Sequence, residues 1–283
     1  MSQRPRIWLL LGRRRGDNNQ LLALGEALGE PFETRTIHYN WQARLRMKLF
    51  RVGVGHITRA SRRWLRPPWP DLIIGIGRRS VPVAHWIMRQ SGGRAHIVRL
   101  GHPRAPSGGF DLVITTRQYP VPPADNVVFL PLAMNRFRDP PTPTAAEHAW
   151  LGALPRPHLL LSLGGTAPMW RLDMAALSEA AAKLARRAND EGGTLIVIGS
   201  PRTPPDAWDV VRDAAPMAAC VEKEVRYPVL LADADAQFVT SDSVSMISEA
   251  VMSGKPVGLI AVEPDARGRR LDSDHAKTAV RDP

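Results

Sequence analysis

The chain has 283 residues, 44% hydrophobic and 23% charged, with one cysteine and a formal net charge of +11. That length suits two domains of about 100–150 residues each. The lone Cys220 excludes an intramolecular disulfide and suits a reducing compartment, and no apolar run reaches the ~18–20 residues that span a bilayer.

The charge is unevenly spread. Residues 1–140 hold 23 Lys/Arg against 8 Asp/Glu, whereas residues 141–283 hold 15 against 19. No acid occurs between Glu33 and Asp71, a stretch with nine basic residues interleaved with Trp41, Phe50, Trp64 and Trp69. Cations among tryptophans suit an anionic membrane surface or an anionic lipid-linked substrate; a solvated basic face would read the same way. Nucleic acid is not expected, because no zinc-finger, RNA-recognition or helix-turn-helix pattern accompanies the charge. The short apolar stretch Ile7 to Leu11 is no signal-peptide core, so the expected location is cytoplasmic, peripheral at the inner membrane face.

In chain order, RIWLLLG (6–12) reads as a buried strand and QLLALGEALG (20–29) as a helix ending at Gly29. FETRTIHY (32–39), DLIIGIG (71–77), HIVRL (96–100), DLVITT (111–116) and NVVFL (126–130) read as further strands, with a helix near 79–90. Continuous apolar strands separated by helices predict a parallel sheet covered on both faces. The Pro-rich RDPPTPT (138–144) marks the boundary between domains 1–140 and 141–283. The pattern then restarts. Strands are predicted at 157–166, 194–200, 220–223, 237–241 and 256–262. Helices are predicted from an Asp173 N-cap to about Asn189, at 227–234, and from Val244 to Met252. In the last, Val244, Ile247 and Val251 form the expected buried stripe. The fold class is therefore α/β, two Rossmann-like domains in tandem.

Ligands of such sheets bind beyond the C-terminal strand ends. Four loops there stand out: GRRRGDNNQ (12–20), LGGTAP (163–168), IGSPRTP (198–204) and TSDSVS (240–245). Each alone is ordinary turn chemistry; together they favour a site. Ser241, Asp242 and Ser243 are three N-cap residues where one helix needs one. The surplus hydroxyls, with Ser245 and the positive helix end, suit phosphate. Glu249, too far along for a capping box, suits a ribose diol.

LADAD (231–235) and TSDSVSMISEAVMSGKPV (240–257) resemble the signature LA-x-AD-x-x-x-VT-x-DSVSM-x-SEA-x-x-TGKPV of the mitochondrial-fission "elongated mitochondria" family and its bacterial relatives. GSPRTP resembles the family's SRRTP, LSLGGTAPMW its GG-containing loop, and GDNNQ its GD-x-x-Q loop. The resemblance runs over about residues 6–260. It departs at Arg226-Tyr227-Pro228, where the family has Asn-Pro-Tyr, and the chain stops about 25 residues after GKPV, where relatives continue, so the second domain is expected to be truncated.

The family is similar to GT-B glycosyltransferases, whose two Rossmann-like domains face across a cleft, with donor mainly on the C-terminal domain and acceptor on the N-terminal one. The resemblance implies transfer of a sugar from a nucleoside-diphosphate sugar to a membrane-associated glycolipid or polysaccharide. No metal and no cofactor beyond the nucleotide-sugar substrate are expected. Donor binding is expected at Gly164, Gly165 and Thr166, whose backbone N–H groups approach the phosphates; at Ser200, Arg202 and Thr203; and at Ser241, Asp242, Ser243, Ser245, Met246 and Glu249. Asp17 is the expected base, and Arg15, Asn18, Gln20 and His102 the acceptor side, with Arg13 to Arg15 suiting an acidic or phosphorylated acceptor. A non-catalytic adaptor that recruits a protein partner at a membrane, and a nucleotide-sugar epimerase or hydrolase, are the alternatives.

Three lookalikes carry less. Asp233-Ala234-Asp235 precedes a strand instead of ending one, against a metal-binding DxD. Gly75-Ile76-Gly77 is half a dinucleotide fingerprint. The eight histidines show no zinc spacing.

Overall fold

The computed structural model describes residues 4–45, 52–103, 106–117, 119, 121–136, 141–165 and 170–264. The chain divides after Arg136 into two compact units.

The first unit is a six-stranded parallel sheet, β1 (Ile7–Leu11), β2 (Phe32–Thr36), β3 (Leu72–Ile76), β4 (His96–Leu100), β5 (Leu112–Thr116) and β6 (Val127–Leu130), in the order β2-β1-β3-β4-β5-β6. The order reverses between β1 and β3, the point where sheets of this kind open a crevice. Alternation along β1 explains the two-sided burial. Trp8 and Leu10 pack into one cluster with Val83, Ala84 and Ile87 of α4 (Val81–Gln90). Ile7 and Leu9 face the other side, with Leu21 of α1 (Arg15–Ala27). This unit also holds the short helices α2 (Gln42–Leu45) and α3 (Arg59–Arg63).

The second unit begins with α5 (Ala145–Gly152), started by a capping box in which Thr144 and Glu147 satisfy each other's backbone N–H. Its sheet is β10-β9-β7-β11-β12, all parallel: β7 (His158–Leu163), β9 (Thr194–Gly199), β10 (Ala219–Val221), β11 (Ala236–Thr240) and β12 (Val257–Ile260). The reversal falls between β7 and β11. β7 is buried along its whole length. Leu159, Leu161 and Leu163 pack with α6 (Met174–Asp190) and α7 (Pro205–Ala214). Leu160 is paired with Gln237, whose amide donates to the Leu231 carbonyl of α8 (Tyr227–Asp233), so the opposite face carries α8. α9 (Val244–Met252) links β11 to β12, and β8 (Trp170–Arg171) pairs antiparallel with β13 (Glu263–Pro264).

Several expectations need correction. α1 starts at Arg15, not residue 20, because the chain turns into the helix directly after β1, with Asp17 in the first turn favoured by the helix dipole. Val251 is 36% exposed; the buried residues of α9 are Met246, Ile247, Ser248 and Ala250, so the apolar face is rotated from the expected stripe. Trp69 belongs to the core beside Trp8 and Trp86, while Phe50 lies outside the described residues.

Asp233 and Asp235 act as an internal clamp. Arg156 donates to Asp233 Oδ1 (3.0 Å) and Asp235 Oδ2 (2.9 Å), His158 Nδ1 meets Asp233 Oδ2 (2.6 Å), and the His158 N–H donates to Asp235 Oδ2 (2.8 Å). The pair is thereby spent holding the entry to β7, at the strand end opposite the loops singled out above. Because Leu161 is fully buried between sheet and helices, Leu161→Ala is expected to destabilise the second unit by about 2–5 kcal/mol, measured by denaturant unfolding of the whole chain.

Candidate functional site

In the second unit, the loops after β7, β9 and β11 converge on one carboxylate. The Asp242 side chain is 1% exposed. Its Oδ2 accepts from the Gly165 N–H (2.9 Å) and from Arg202 Nη2 (3.3 Å), and its Oδ1 accepts from Thr240 Oγ1 (2.7 Å). The Gly164 N–H donates to Thr240 Oγ1 (2.7 Å). Ser200 Oγ donates to the Gly164 carbonyl (2.8 Å), while Thr203 Oγ1 accepts from the Ser200 N–H (2.8 Å). Both glycines are sterically required: a Cβ on Gly164 would overlap the Asp242 carboxylate, and one on Gly165 the Arg202 carbonyl.

This geometry revises the sequence expectation. The Gly164 and Gly165 N–H groups are consumed inside the protein and are not aimed at a phosphate. Asp242, Ser200 and Thr203 tie loops together, and Ser241 does the same, its hydroxyl accepting from the Val262 N–H (3.1 Å). The reason is that a buried carboxylate and buried loop amides must find partners. The Met246 side chain is buried, leaving only its backbone for a ligand. Thr166 lies outside the described residues.

The groups left over are at the start of α9. Ser243 is its N-cap, in extended conformation, yet its side chain makes no capping bond. The first helical N–H with an intrahelical acceptor is that of Ile247, to the Ser243 carbonyl (3.0 Å). Those of Val244, Ser245 and Met246 precede it at the positive end of the helix. Glu249 lies further along the helix, one turn beyond Ser245. Burial pushes its carboxyl up to about 7. Tyr227 shares these surroundings: burial raises its phenol, nearby Ser162 lowers it and the Glu249 charge raises it further.

In the first unit, a cavity of about 610 Å³ opens at the C-terminal ends of β1, β3, β4 and β5, spanning the switch point. Asp17 and Gln20 of α1 line it with Arg13, Arg14, Tyr39, Arg78, Arg79 and His102. Gly77 and Gly101, at φ 76° and 71°, turn the chain at its rim in a conformation other residues rarely adopt. Burial raises the Asp17 carboxyl, against the lowering fields of Arg14 and Arg99. Tyr39 is pushed up to about 12, burial outweighing Arg79 and Arg99. Arg99 is 2% exposed and donates to Ser80 Oγ (3.1 Å) and the His102 carbonyl (3.2 Å), fixing the rim.

Of the expected acceptor-side residues, Gln20 and His102 line this cavity with Asp17. Arg15 is exposed at the first position of α1 and does not line it; Asn18 is spent on the Gly12 backbone, accepting from its N–H (2.8 Å) and donating to its carbonyl (3.0 Å). Sequence reading missed Tyr39, Arg78 and Arg79. The signal for the arginines was GIGRR directly after a strand; Tyr39 had none, because it is brought in from beyond β2.

Two Rossmann-like units of these strand orders define a GT-B-like fold, and solved structures with that fold span nearly the whole chain. Arabidopsis thaliana UGT89C1, complexed with UDP-L-rhamnose, has a TM-score of 0.57 at 11% identity, covering 100% of this chain and 91% of that one. The S. aureus MnaA–UDP co-structure has 0.56 at 12%, covering 98% and 86%. The UDP-GlcNAc 2-epimerase of Neisseria meningitidis bound to UDP-GlcNAc has 0.54 at 10%, covering 90% and 82%. The chain belongs to the mitochondrial fission ELM1 family, whose family model matches residues 15–279. The Arabidopsis thaliana mitochondrial fission protein ELM1 is 26% identical over 245 residues, covering 76% of this chain; the chain spans only 57% of that relative. The uncharacterized protein RP120 of Rickettsia prowazekii (strain Madrid E) is 23% identical over 296 residues, covering 89% of this chain and 82% of that protein.

The division between tying and spare groups is testable. Asp242→Ala leaves buried donors unpaired and is expected to cost about 1–3 kcal/mol. Ser243→Ala, at an N-cap with no capping bond, is expected to stay within about 0.5 kcal/mol of wild type instead of the ~1 kcal/mol usual for such a change. Parallel urea titrations check both.

Proposed function

We propose that this protein is a glycosyltransferase that moves a sugar from a nucleoside-diphosphate sugar, held by the second unit, to a hydroxyl of an acceptor held in the cavity of the first. The observation that carries this reading is the start of α9: a run of unsatisfied N–H groups, an N-cap hydroxyl with no structural duty and a desolvated carboxyl, all on the helix after β11 at the switch point.

In this reading the diphosphate meets the N–H groups of residues 244–246 and the hydroxyls of Ser243 and Ser245, and Glu249 accepts from the ribose diol. Arg202, paired with Asp242 on one side and 44% exposed, turns its remaining donors toward the leaving diphosphate. The acceptor oxygen forms a bond to the anomeric carbon as the bond from that carbon to the diphosphate oxygen breaks. The acceptor proton passes to Asp17, and the electron pair leaves with the diphosphate. Burial of Asp17 raises its affinity for a proton, which suits a base working near neutrality.

The acid-free stretch of the first unit supports docking of a membrane-bound acceptor. Trp41 and Trp64 are 68% and 61% exposed, and Arg59, Arg62, Arg63 and Arg66 of the same stretch are exposed as well. Among the described residues no helix is long and apolar enough to cross a membrane.

The test is to incubate the protein with a panel of nucleotide-sugars and membrane extracts, following nucleoside diphosphate release and sugar transfer. Asp17→Asn is expected to lower transfer ~10²–10⁴-fold while leaving donor binding intact. A sugar altered in configuration but not transferred would identify an epimerase, and failure of every nucleotide-sugar to bind would leave the adaptor.

Donor binding should also depend on pH. The Glu249 carboxylate accepts from the ribose more strongly than the acid, so affinity is lost as pH falls through about 7. A fall of about ten-fold from pH 8 to pH 6 is expected for wild type, and a flat, weaker profile for Glu249→Gln. Calorimetric titration with a nucleotide-sugar between pH 6 and 8 checks this, because its diphosphate does not itself titrate in that window.

A further inference from the structure

We propose that the cavity of the first unit recognises an acceptor carrying an oxyanion, a phosphate or a carboxylate, and that Arg79 is the residue that reads it. The proposal rests on the transferase reading for the word acceptor, but its observations belong to the first unit alone.

Four guanidinium groups, Arg13, Arg14, Arg78 and Arg79, line the cavity against a single carboxylate, Asp17. Among the described residues none of the four forms an ion pair, although Arg6, Arg35 and Arg136 of the same unit do. Arg13, Arg14 and Arg78 are exposed, as solvated surface arginines would be. Arg79 is different. It is half-buried, and its guanidinium lies 5.5 Å from the centre of the Tyr39 ring. Its backbone is fixed as well: the carbonyl lies 2.9 Å from Nε2 of fully buried His56, and the His56 ring stacks on Tyr39 at 5.8 Å. A preorganised arginine loses little side-chain entropy on binding and presents its fork to a planar or tetrahedral oxyanion.

The rest of the cavity fits a sugar-sized ligand. Its volume of about 610 Å³ falls in the usual range for small-molecule sites, about 300–1,000 Å³. His102 and Tyr119, with ring centres 5.8 Å apart, form a wall on which a pyranose can lie, and Ile76, Leu100 and Met134 supply apolar surface. One carboxylate against four guanidinium groups leaves the cavity with an excess of positive charge.

Calorimetric titration of the full chain tests this, with glucose 1-phosphate, glucuronate, inorganic phosphate and neutral methyl glucoside as probes. The expected result is that glucose 1-phosphate or glucuronate binds at least about ten-fold more tightly than methyl glucoside, and that Arg79→Ala and Arg79→Gln each weaken it by about 10–100-fold. Arg94→Ala, an exposed arginine away from the cavity, should change nothing. Equal binding of the neutral and anionic sugars, or no loss in either Arg79 variant, would overturn the proposal. Vesicles of phosphatidylglycerol and of phosphatidylcholine separate the two sources of the anion. Phosphatidylglycerol binding that needs Arg79 and is displaced by glucose 1-phosphate would place the oxyanion on a lipid headgroup. Vesicle binding indifferent to Arg79, with no soluble anion bound, would contradict the site.

Nucleotide-sugar binding, titrated in the same variants, separates this proposal from the transferase reading. Anion binding without any nucleotide-sugar binding leaves the pocket and removes transfer. The reverse leaves the donor site and removes the pocket. An unchanged far-UV circular dichroism spectrum and urea midpoint in Arg79→Ala and Arg79→Gln would show that the variants are folded.

Discussion

The buried carboxylate of Asp242 is the constraint on which the second unit's binding edge depends. A carboxylate sealed from water must be fully paired, and here its partners come from the β7 loop, the β9 loop and the end of β11. Satisfying it pulls the three loops together, and only glycines at 164 and 165 leave room for the approach. One consequence is that α9 begins with Asp242 turned away from it. The helix is then left with N–H groups that neither its N-cap nor the neighbouring acid satisfies, and that deficit is what gives the edge an affinity for anions.

The first unit reaches a similar end by the opposite charge. Buried Arg99 reaches from β4 to the Ser80 hydroxyl and the His102 carbonyl, pinning the turns after β3 and β4. Asn18 pins the turn after β1 to the start of α1. Around these fixed turns the cavity gathers exposed charge in Arg13, Arg14 and Arg78, and held charge in Arg79. Each unit thus spends one buried ion on shaping its loops and leaves other groups at the same strand ends unspent. Both sets favour an anion, but through different groups: helix N–H groups beside a carboxyl in one, guanidinium groups around a desolvated acid in the other.

Most of the strand framework was legible because parallel strands buried on both faces are nearly all apolar, as in HLLLSL and IWLLL. The loops that follow them were legible as a set for the same reason. What composition could not separate was tying from binding. Ser241, Asp242, Ser243 and Ser245 look alike in sequence, and only their side-chain hydrogen bonds show that the first two are occupied and that Ser243 makes no cap. The buried side of α9 was misjudged for a related reason: Ser248 returns its hydroxyl to the Val244 carbonyl (2.7 Å) and is fully buried, so a polar residue occupies the core face while Val251 turns outward. Tyr39 was invisible as a cavity residue, and His56 as its support, since both are placed through contacts between segments far apart in sequence.

The most direct measurement is amide hydrogen exchange on the full chain, with and without a nucleotide-sugar that calorimetry shows to bind. The account predicts protection concentrated at residues 243–249, with little change at the N-terminal end of β7 around Arg156 and His158. Protection that spares the start of α9, or that appears mainly at the clamp formed by Asp233 and Asp235, would contradict it.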